Sequence, residues 1–346
     1  MKAAVLKATG EPRTAFELRE VPDPVPGREE VCVDLVAAAL NRRDRWLRAG
    51  DATALPAVLG SDGAGIVSAV GEGVEALREG DEVVINPALD WGDSEVAAGP
   101  DFRILGVPDQ GTYAERIVVS AHQVRPRPPN LSWIESAALP LAGLTAWRAT
   151  VTQGEAGPGK TVLVPGGGGG VATFVIQLAA VRGARVLVTS SSVEKLERAK
   201  QLGAEDGVDY RQPDWPERIG PVDVAVDSVG AAAWPGIFSC LMPGGRLVSF
   251  GRTSGQEGHV DIARLYFGYW RIQGTTMGSP REFDALLAEV REGAWRPVID
   301  SVFPLADVAA AHERLDEPDR FGKIVLAVDE ARIEQERSER GDRPAA

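Results

Sequence analysis

The sequence predicts an α/β protein of two domains: a β-rich domain that opens the chain, and a cofactor domain built as a doubly wound parallel sheet. Three observations carry this reading. The chain has 346 residues, which at roughly 150 per domain suggests two. Residues 1–130 read as short strands broken by turns. From about Leu144, short apolar runs alternate with helical patterns, and strand–helix alternation means parallel strands with right-handed crossovers.

The elements follow in order. Residues 3–6, 30–36, 65–70 and 82–85 are rich in Val, Ile and Ala and bounded by Gly, Pro and Asp, so each reads as a strand. A punctuated lobe spans 86–111. The run 125–130, Arg-Pro-Arg-Pro-Pro-Asn, suits neither mid-strand nor mid-helix and marks the approach to a boundary. The runs 162–164, 185–189, 222–226 and 246–250 lack alternation, as strands buried on both faces do. Helical patterns at 171–181 and 193–202 lie among them. From Pro280, a helix at 282–292 and an alternating stretch at 323–328 read as a return to the first domain. The division is therefore 1–142, 143–279 and 280–328, with a charged tail at 329–346 that reads as a frayed helix or as disordered chain.

Composition excludes several functions. A net charge of −13 argues against a nucleic-acid partner, because phosphate binding needs clustered Lys and Arg. No run approaches the ~18 apolar residues of a membrane span, and the opening MKAAVLKATGEP lacks the apolar core of a signal peptide. Two cysteines, Cys32 and Cys240, read as reduced cytoplasmic thiols.

The glycine-rich turn carries the chemistry. A strand at 162–164, a turn at 165–170 and an apolar helix from Val171 place Gly167-x-Gly169-x-x-Ala172 as a dinucleotide fingerprint. Gly167 permits the tight turn, Gly169 lets backbone N–H groups approach a pyrophosphate, and Ala172 is small where helix meets strand. Gly170 and Val171 open the helix, whose N-terminus supplies free donors and partial positive charge. The plainer alternative is a glycine loop with no ligand. A site for NAD usually carries an acid about 20 residues on, at the end of the second strand. Here that strand runs into Ser190, Ser191 and Ser192, with Lys195 on the next turn. Hydroxyls plus an ammonium suit a 2′-phosphate, so NADPH is expected over NADH. The alternative makes the serines an N-cap and Lys195 a solvated helix face.

In these residues the sequence resembles the medium-chain dehydrogenase/reductase superfamily, and within it the zinc-free quinone oxidoreductase branch. The carriers are Asn41-Arg-Arg-Asp44 with Arg48-x-Gly50, Leu59-Gly-Ser-Asp-Gly-Ala-Gly65, Gly80-Asp-Glu-Val83, Gly111-Thr-Tyr-Ala-Glu115, the stretch 137–146, the glycine turn and Gly322-Lys-Ile-Val325. The resemblance implies a GroES-like catalytic domain interrupted by a Rossmann domain. Alcohol dehydrogenases of the superfamily hold a catalytic zinc through Cys and His. The matching positions here are Asn41, Ser61 and Leu141, with Asp62 beside the second, and Leu141 cannot bind a metal. Their structural zinc takes four cysteines, and segment 89–104 has none. His122, His259 and His312 lie at neither site, so no metal is expected.

Without Lewis-acid help the resemblance implies hydride transfer from NADPH to an electron-poor small molecule, a quinone or another α,β-unsaturated carbonyl. It implies Asn41 and Asp44 as catalytic residues, Asn41 donating to a substrate oxygen and Asp44 pairing with the arginine-rich loop. Both also read as simple capping of a helix start. Trp46, Ser61, Asp62 and Leu141 would line the substrate site. Thr145, Tyr210, Val229, Gly251 and Thr276 would line the cofactor, Thr276 ending the last strand. Lys323 reads as an ordinary strand-end lysine, with the cofactor as the alternative. Residues 50–55 hold no tyrosine, which counts against the enoyl thioester reductases among the relatives. Reduction of aldehydes or enoyl thioesters remains the alternative activity, and an NADPH-binding redox sensor without turnover the alternative from another class. The resemblance also implies a homodimer joined through the edge strand candidate 271–276.

Overall fold

The computed structural model describes residues 1–50 and 54–341. The chain divides into two compact units, Met1–Leu141 with Ser279–Ala346, and Ala142–Gly278.

The first unit is built around the strand Glu30–Ala39, which buries all of its residues but Glu30 and Asp34. It can be this apolar because it has neighbours on both edges: Asp62–Val70, Arg116–Ser120 and Lys323–Ala327 all pair with it antiparallel. Glycine is obligatory at one crossing, since a side chain at Gly65 would collide with the Asp34 carbonyl. The register sets Ala39 opposite both Asp62 and Val325, and the Leu40 N–H donates to the Ile324 carbonyl at 2.9 Å. Three neighbouring strands thus bring Asn41, Asp62 and Lys323 to one end of the sheet. A smaller sheet of Phe16–Glu20, Lys2–Leu6 and Ala57–Val58 covers part of the same core.

Three features of this unit differ from the sequence reading. Pro126 ends a strand, Val124–Pro126, which is possible because that strand is the edge of its sheet. The helices Trp133–Ala138 and Pro140–Trp147 were not foreseen, although Ser132 and Glu135 form a capping box. Of the two readings of the charged tail the helix holds, Glu330–Arg340, but it is anchored and not frayed. Its Glu336 carboxylate accepts from the Trp133 N–H at 2.8 Å and from Arg127 at 3.0 Å, and Ile333 is buried. Polar composition hid anchors that act one residue at a time.

The second unit is a six-stranded parallel sheet in the order Asp206–Asp209, Arg185–Ser190, Thr161–Pro165, Val222–Asp227, Leu241–Ser249 and Arg271–Gly274. The chain begins at Thr161–Pro165, winds outward to one side, then returns to wind outward on the other. The strand ends flanking that reversal form the usual ligand crevice of a doubly wound sheet. No helix among the described residues is long and apolar enough to cross a membrane.

One core residue of the first unit is unusual. His312 is fully buried, its ring 4.5 Å from that of Phe16 and 6.0 Å from that of Tyr113. Neither ring nitrogen has a partner. Burial, with Arg48 nearby, pushes its pKa down to about 3. An unfolded histidine binds its proton near pH 6.5, so between the two values the unfolded chain binds more protons. Stability conferred by the neutral ring is therefore complete above pH ~6.5 and falls as pH drops towards 3, with a slope approaching ~1.4 kcal/mol per pH unit. His312→Leu is expected to flatten that slope in urea unfolding measured across the window. An unaltered slope would assign the acid sensitivity to other groups.

Candidate active site

The Arg42–Ala49 helix starts at Asn41, and its first turn sets the site. The Asp44 carboxylate accepts from the Asn41 N–H at 2.7 Å, satisfying a helix-start donor, and from the Tyr113 hydroxyl at 2.9 Å. Asp44 is fully buried and its other oxygen has no partner. Burial pushes its pKa up and pushes that of Tyr113 well above 10. The expected ion pair with the arginine-rich loop is absent: Arg45 and Arg48 both turn to Asp316. Asp44 therefore fixes the helix start from within the core.

Asn41 faces the other way. Its amide oxygen accepts from the Lys323 ammonium at 2.6 Å, and its amide nitrogen donates to Asp62 Oδ2 at 2.9 Å. Lys323 also donates to Asp62 Oδ2 and to the Leu40 carbonyl, both at 2.8 Å. The second Asp62 oxygen accepts from the Leu141 N–H at 2.7 Å. Lys323 and Asp62 have side chains only 2% and 0% exposed. An ammonium has three hydrogens, and here all three are engaged. Lys323 is thus the cationic centre of this network rather than an ordinary strand-end lysine.

These residues do not form a zinc site. An amide, a hydroxyl and a leucine stand where thiolate and imidazole would be needed, and both Asp62 oxygens already accept from N–H donors. Ser61 donates to the Leu105 carbonyl at 2.6 Å and accepts from Arg43 at 2.8 Å. In the lobe, Arg103 pairs with Asp90 at 2.5 Å and Asp109 at 3.0 Å, and Trp91 packs edge-on against Phe102. Salt bridges and an aromatic pair hold the lobe. Of the remaining substrate-site candidates, Trp46 is half-buried, and residues 51–53 of the tyrosine-free stretch lie outside the described residues.

In the second unit the cofactor candidates gather at the C-terminal strand ends. Gly166, not Gly167, takes the positive φ, +68°, and so makes the turn. Gly167 instead packs close to Val188, where its lack of a side chain matters. Gly169 caps the Gly170–Val181 helix, and the first helical bond runs from Thr173 N–H to the Gly169 carbonyl at 3.0 Å. The N–H groups of Gly170, Val171 and the buried Ala172 therefore have no intrahelical acceptor. Ser190 ends its strand opposite Asp209, which sets Tyr210 beside Ser191. Ser192 caps the Val193–Gln201 helix, accepting from Lys195 N–H at 3.2 Å. Asp227 orders the next turn: it accepts from Val229 and Gly230 N–H and from the Trp234 indole at 3.0 Å. Burial raises its pKa. Gly251 lies against the Ser228 backbone, where any side chain would collide. Thr145 is buried, with its hydroxyl 4.0 Å from the Met277 sulfur. The last strand stops at Gly274, so Thr276 sits in the loop beyond it.

The alcohol dehydrogenase GroES-like domain family matches residues 27–129, and the zinc-binding dehydrogenase family matches residues 170–292. A zinc-type alcohol dehydrogenase-like protein of Schizosaccharomyces pombe is 36% identical, over 90% of this chain and 94% of its own length. The chain belongs to the medium-chain dehydrogenase/reductase superfamily. It is also 32% identical to a quinone oxidoreductase of Pseudomonas aeruginosa, over 90% of this chain and 95% of that protein. A solved NAD-dependent alcohol dehydrogenase superimposes with a TM-score of 0.90 at 42% identity, covering 95% of this chain and all of that one. The protein is an oxidoreductase of this superfamily with a nicotinamide cofactor.

Removing one member of the Lys323 network leaves a buried charge without its partner, which costs about 3–5 kcal/mol. Lys323→Met is expected to lower the thermal midpoint sharply, and Asp62→Asn in the same chain to restore part of the loss. Two losses that simply add would show that the pair is not coupled.

Proposed function

We propose that this protein is an NADPH-dependent reductase that works without zinc and delivers hydride to a quinone or other α,β-unsaturated carbonyl. The observation that carries this is the Lys323–Asn41–Asp62 network, which fills the position of a metal-ligand set with an ammonium and its acceptors. A site of this kind suits an acceptor that is already electron-poor. The cofactor, when bound, supplies the hydride and its electron pair. The chain's part is to hold and orient. Free N–H groups at the start of the Gly170–Val181 helix suit a pyrophosphate, and the Asp227-braced turn carries Val229 to the same sheet edge. Asn41 has its amide fixed at both ends, leaving one Nδ2 hydrogen for a substrate oxygen.

The choice of NADPH rests on this chain's own residues, because the solved neighbour is an NAD-dependent enzyme. Ser190 ends the second strand and Ser191 follows it, neither position holding a carboxylate of its own, and Lys195 lies half-buried one turn on. Tyr210 completes the group. Both cysteines are free and buried, and a cytoplasmic setting is part of the proposal. Steady-state oxidation of NADPH and NADH by a small 1,4-quinone, with and without a strong chelator, tests these points together. The expected result is turnover that prefers NADPH, loses that preference in Lys195→Ala, and ignores the chelator. Loss of activity on chelation would overturn the zinc-free reading, and binding of NADPH with no turnover by any acceptor would favour a sensor.

The proposal extends to a homodimer. The edge strand Arg271–Gly274 is exposed along its whole length and has one free edge. Ile262, Phe267 and Tyr269 nearby in sequence are 73%, 75% and 78% exposed. An open edge beside large apolar side chains suits pairing with the same strand of a second copy. Sedimentation is expected to give twice the chain mass of 36.7 kDa, and Ile272→Pro to shift the protein towards monomer. Sedimentation of the parent at the single-chain mass would remove the dimer.

A further inference from the structure

Arg42 and Arg43 of the Asn41–Asp44 turn carry no role in the sequence reading, and Arg43 is the one that reaches Ser61. Its Nη1 donates to Ser61 Oγ at 2.8 Å and to the Leu105 carbonyl at 2.9 Å. Arg45 and Arg48, on the same helix, share Asp316. Arg43 forms no ion pair among the described residues, although Asp44 and Asp62 lie near enough to influence it. Its Nε and Nη2 have no protein acceptor there, and unlike Nε and Nη1 of Arg48 they are not sealed in the core. Burial lowers its pKa, but an arginine stays protonated across the working range. The result is a partly desolvated guanidinium with no direct ion pair among the described residues, held in place by Ser61, one of the positions that the resemblance matches to a zinc ligand.

We propose that Arg43 is the electrophile of this site, its Nε and Nη2 hydrogens receiving the acceptor's oxygen as negative charge builds there. The inference rests on the reductase reading above. In an enone, hydride from the reduced nicotinamide forms the new C–H bond at the β-carbon. The carbon–carbon π pair moves to the Cα–C bond as the carbonyl π pair moves to oxygen, giving an enolate. Arg43 balances that charge. A proton from water then adds to the α-carbon and the carbonyl re-forms, so the acceptor is reduced by two electrons and the nicotinamide oxidised by two. Donors aimed at a developing oxyanion are worth ~10²–10³ in rate, and a guanidinium is well suited because its plane is fixed and its charge constant.

The test uses the full chain as parent, Arg43→Gln, Arg43→Lys and Arg43→Ala. Cyclohexenone serves as acceptor and 4-nitrophenolate as a coloured oxyanion probe. In Arg43→Gln, kcat for cyclohexenone is expected to fall ~10²–10³-fold, with NADPH affinity by fluorescence titration unchanged. Arg43→Lys should keep part of the rate, and added ethylguanidinium should restore part of it to Arg43→Ala. The parent should lower the apparent pKa of bound 4-nitrophenol, and Arg43→Gln should abolish that shift. Unchanged kcat in Arg43→Gln overturns the proposal. So does a loss of kcat that neither ethylguanidinium nor the lysine variant relieves, since that marks a purely structural role. If the parent reduces no enone or quinone yet shows the Arg43-dependent shift, the oxyanion site stands and the acceptor class fails.

Discussion

A single buried ammonium organises the first unit. Lys323 gives its three hydrogens to the Leu40 carbonyl, the Asn41 amide oxygen and the Asp62 carboxylate, and each acceptor belongs to, or directly follows, a different position on two other strands of the sheet. In a low-dielectric interior such a charge is tolerated only when every hydrogen is matched, so the three strand ends are held in one arrangement. That arrangement decides which way the Asn41 amide points, because an ammonium can only meet its oxygen and a carboxylate only its nitrogen. It also anchors the Leu141 backbone. The specificity of the site and the geometry of the sheet are here the same set of hydrogen bonds.

The second unit achieves order by different means. Its candidate residues share no buried charge network. They converge because the strand order reverses beside Thr161–Pro165, so that the glycine turn, the Asp227 turn and Gly251 all fall at one sheet edge. Within that edge, backbone proximity does the positioning. Gly251 lies against Ser228, and Asp227 collects two N–H groups and the Trp234 indole. A scaffold of this sort leaves the helix-start donors unoccupied by protein while holding them still, which is what anion recognition requires.

How much of this the sequence disclosed depended on whether the signal was local. The parallel strands were legible because burial on both faces leaves runs such as Val162-Leu-Val164 with no polar residue, and the fingerprint because strand, glycines and helix follow each other directly. The serine run was legible as a helix start for the same reason, and Ser192 caps the Val193–Gln201 helix. The Lys323 network was not, since its partners come from far along the chain and meet only through the registers of Ala39 with Asp62 and Val325. Asp44 was legible as a cap of the helix start, which it is, but its second partner, Tyr113, was not, for the same reason. The terminal helix read as frayed or as disordered because its anchors, Glu336 and Arg340, are charged residues whose partners lie on backbone two hundred residues away.

The long separation between Lys323 and its acceptors has a consequence for biosynthesis. Asn41 and Asp62 emerge from the ribosome early, whereas the lysine that neutralises the carboxylate lies 261 residues beyond Asp62. Vectorial synthesis at ~5–20 residues per second leaves the nascent first unit without its central cation for many seconds. The whole second unit, the uninterrupted segment Ala142–Gly278, is translated in that interval. Until the final stretch of chain arrives, the early strands lack the ammonium that joins their ends. Truncated translation products would thus carry the complete second unit beside an unfinished reaction site.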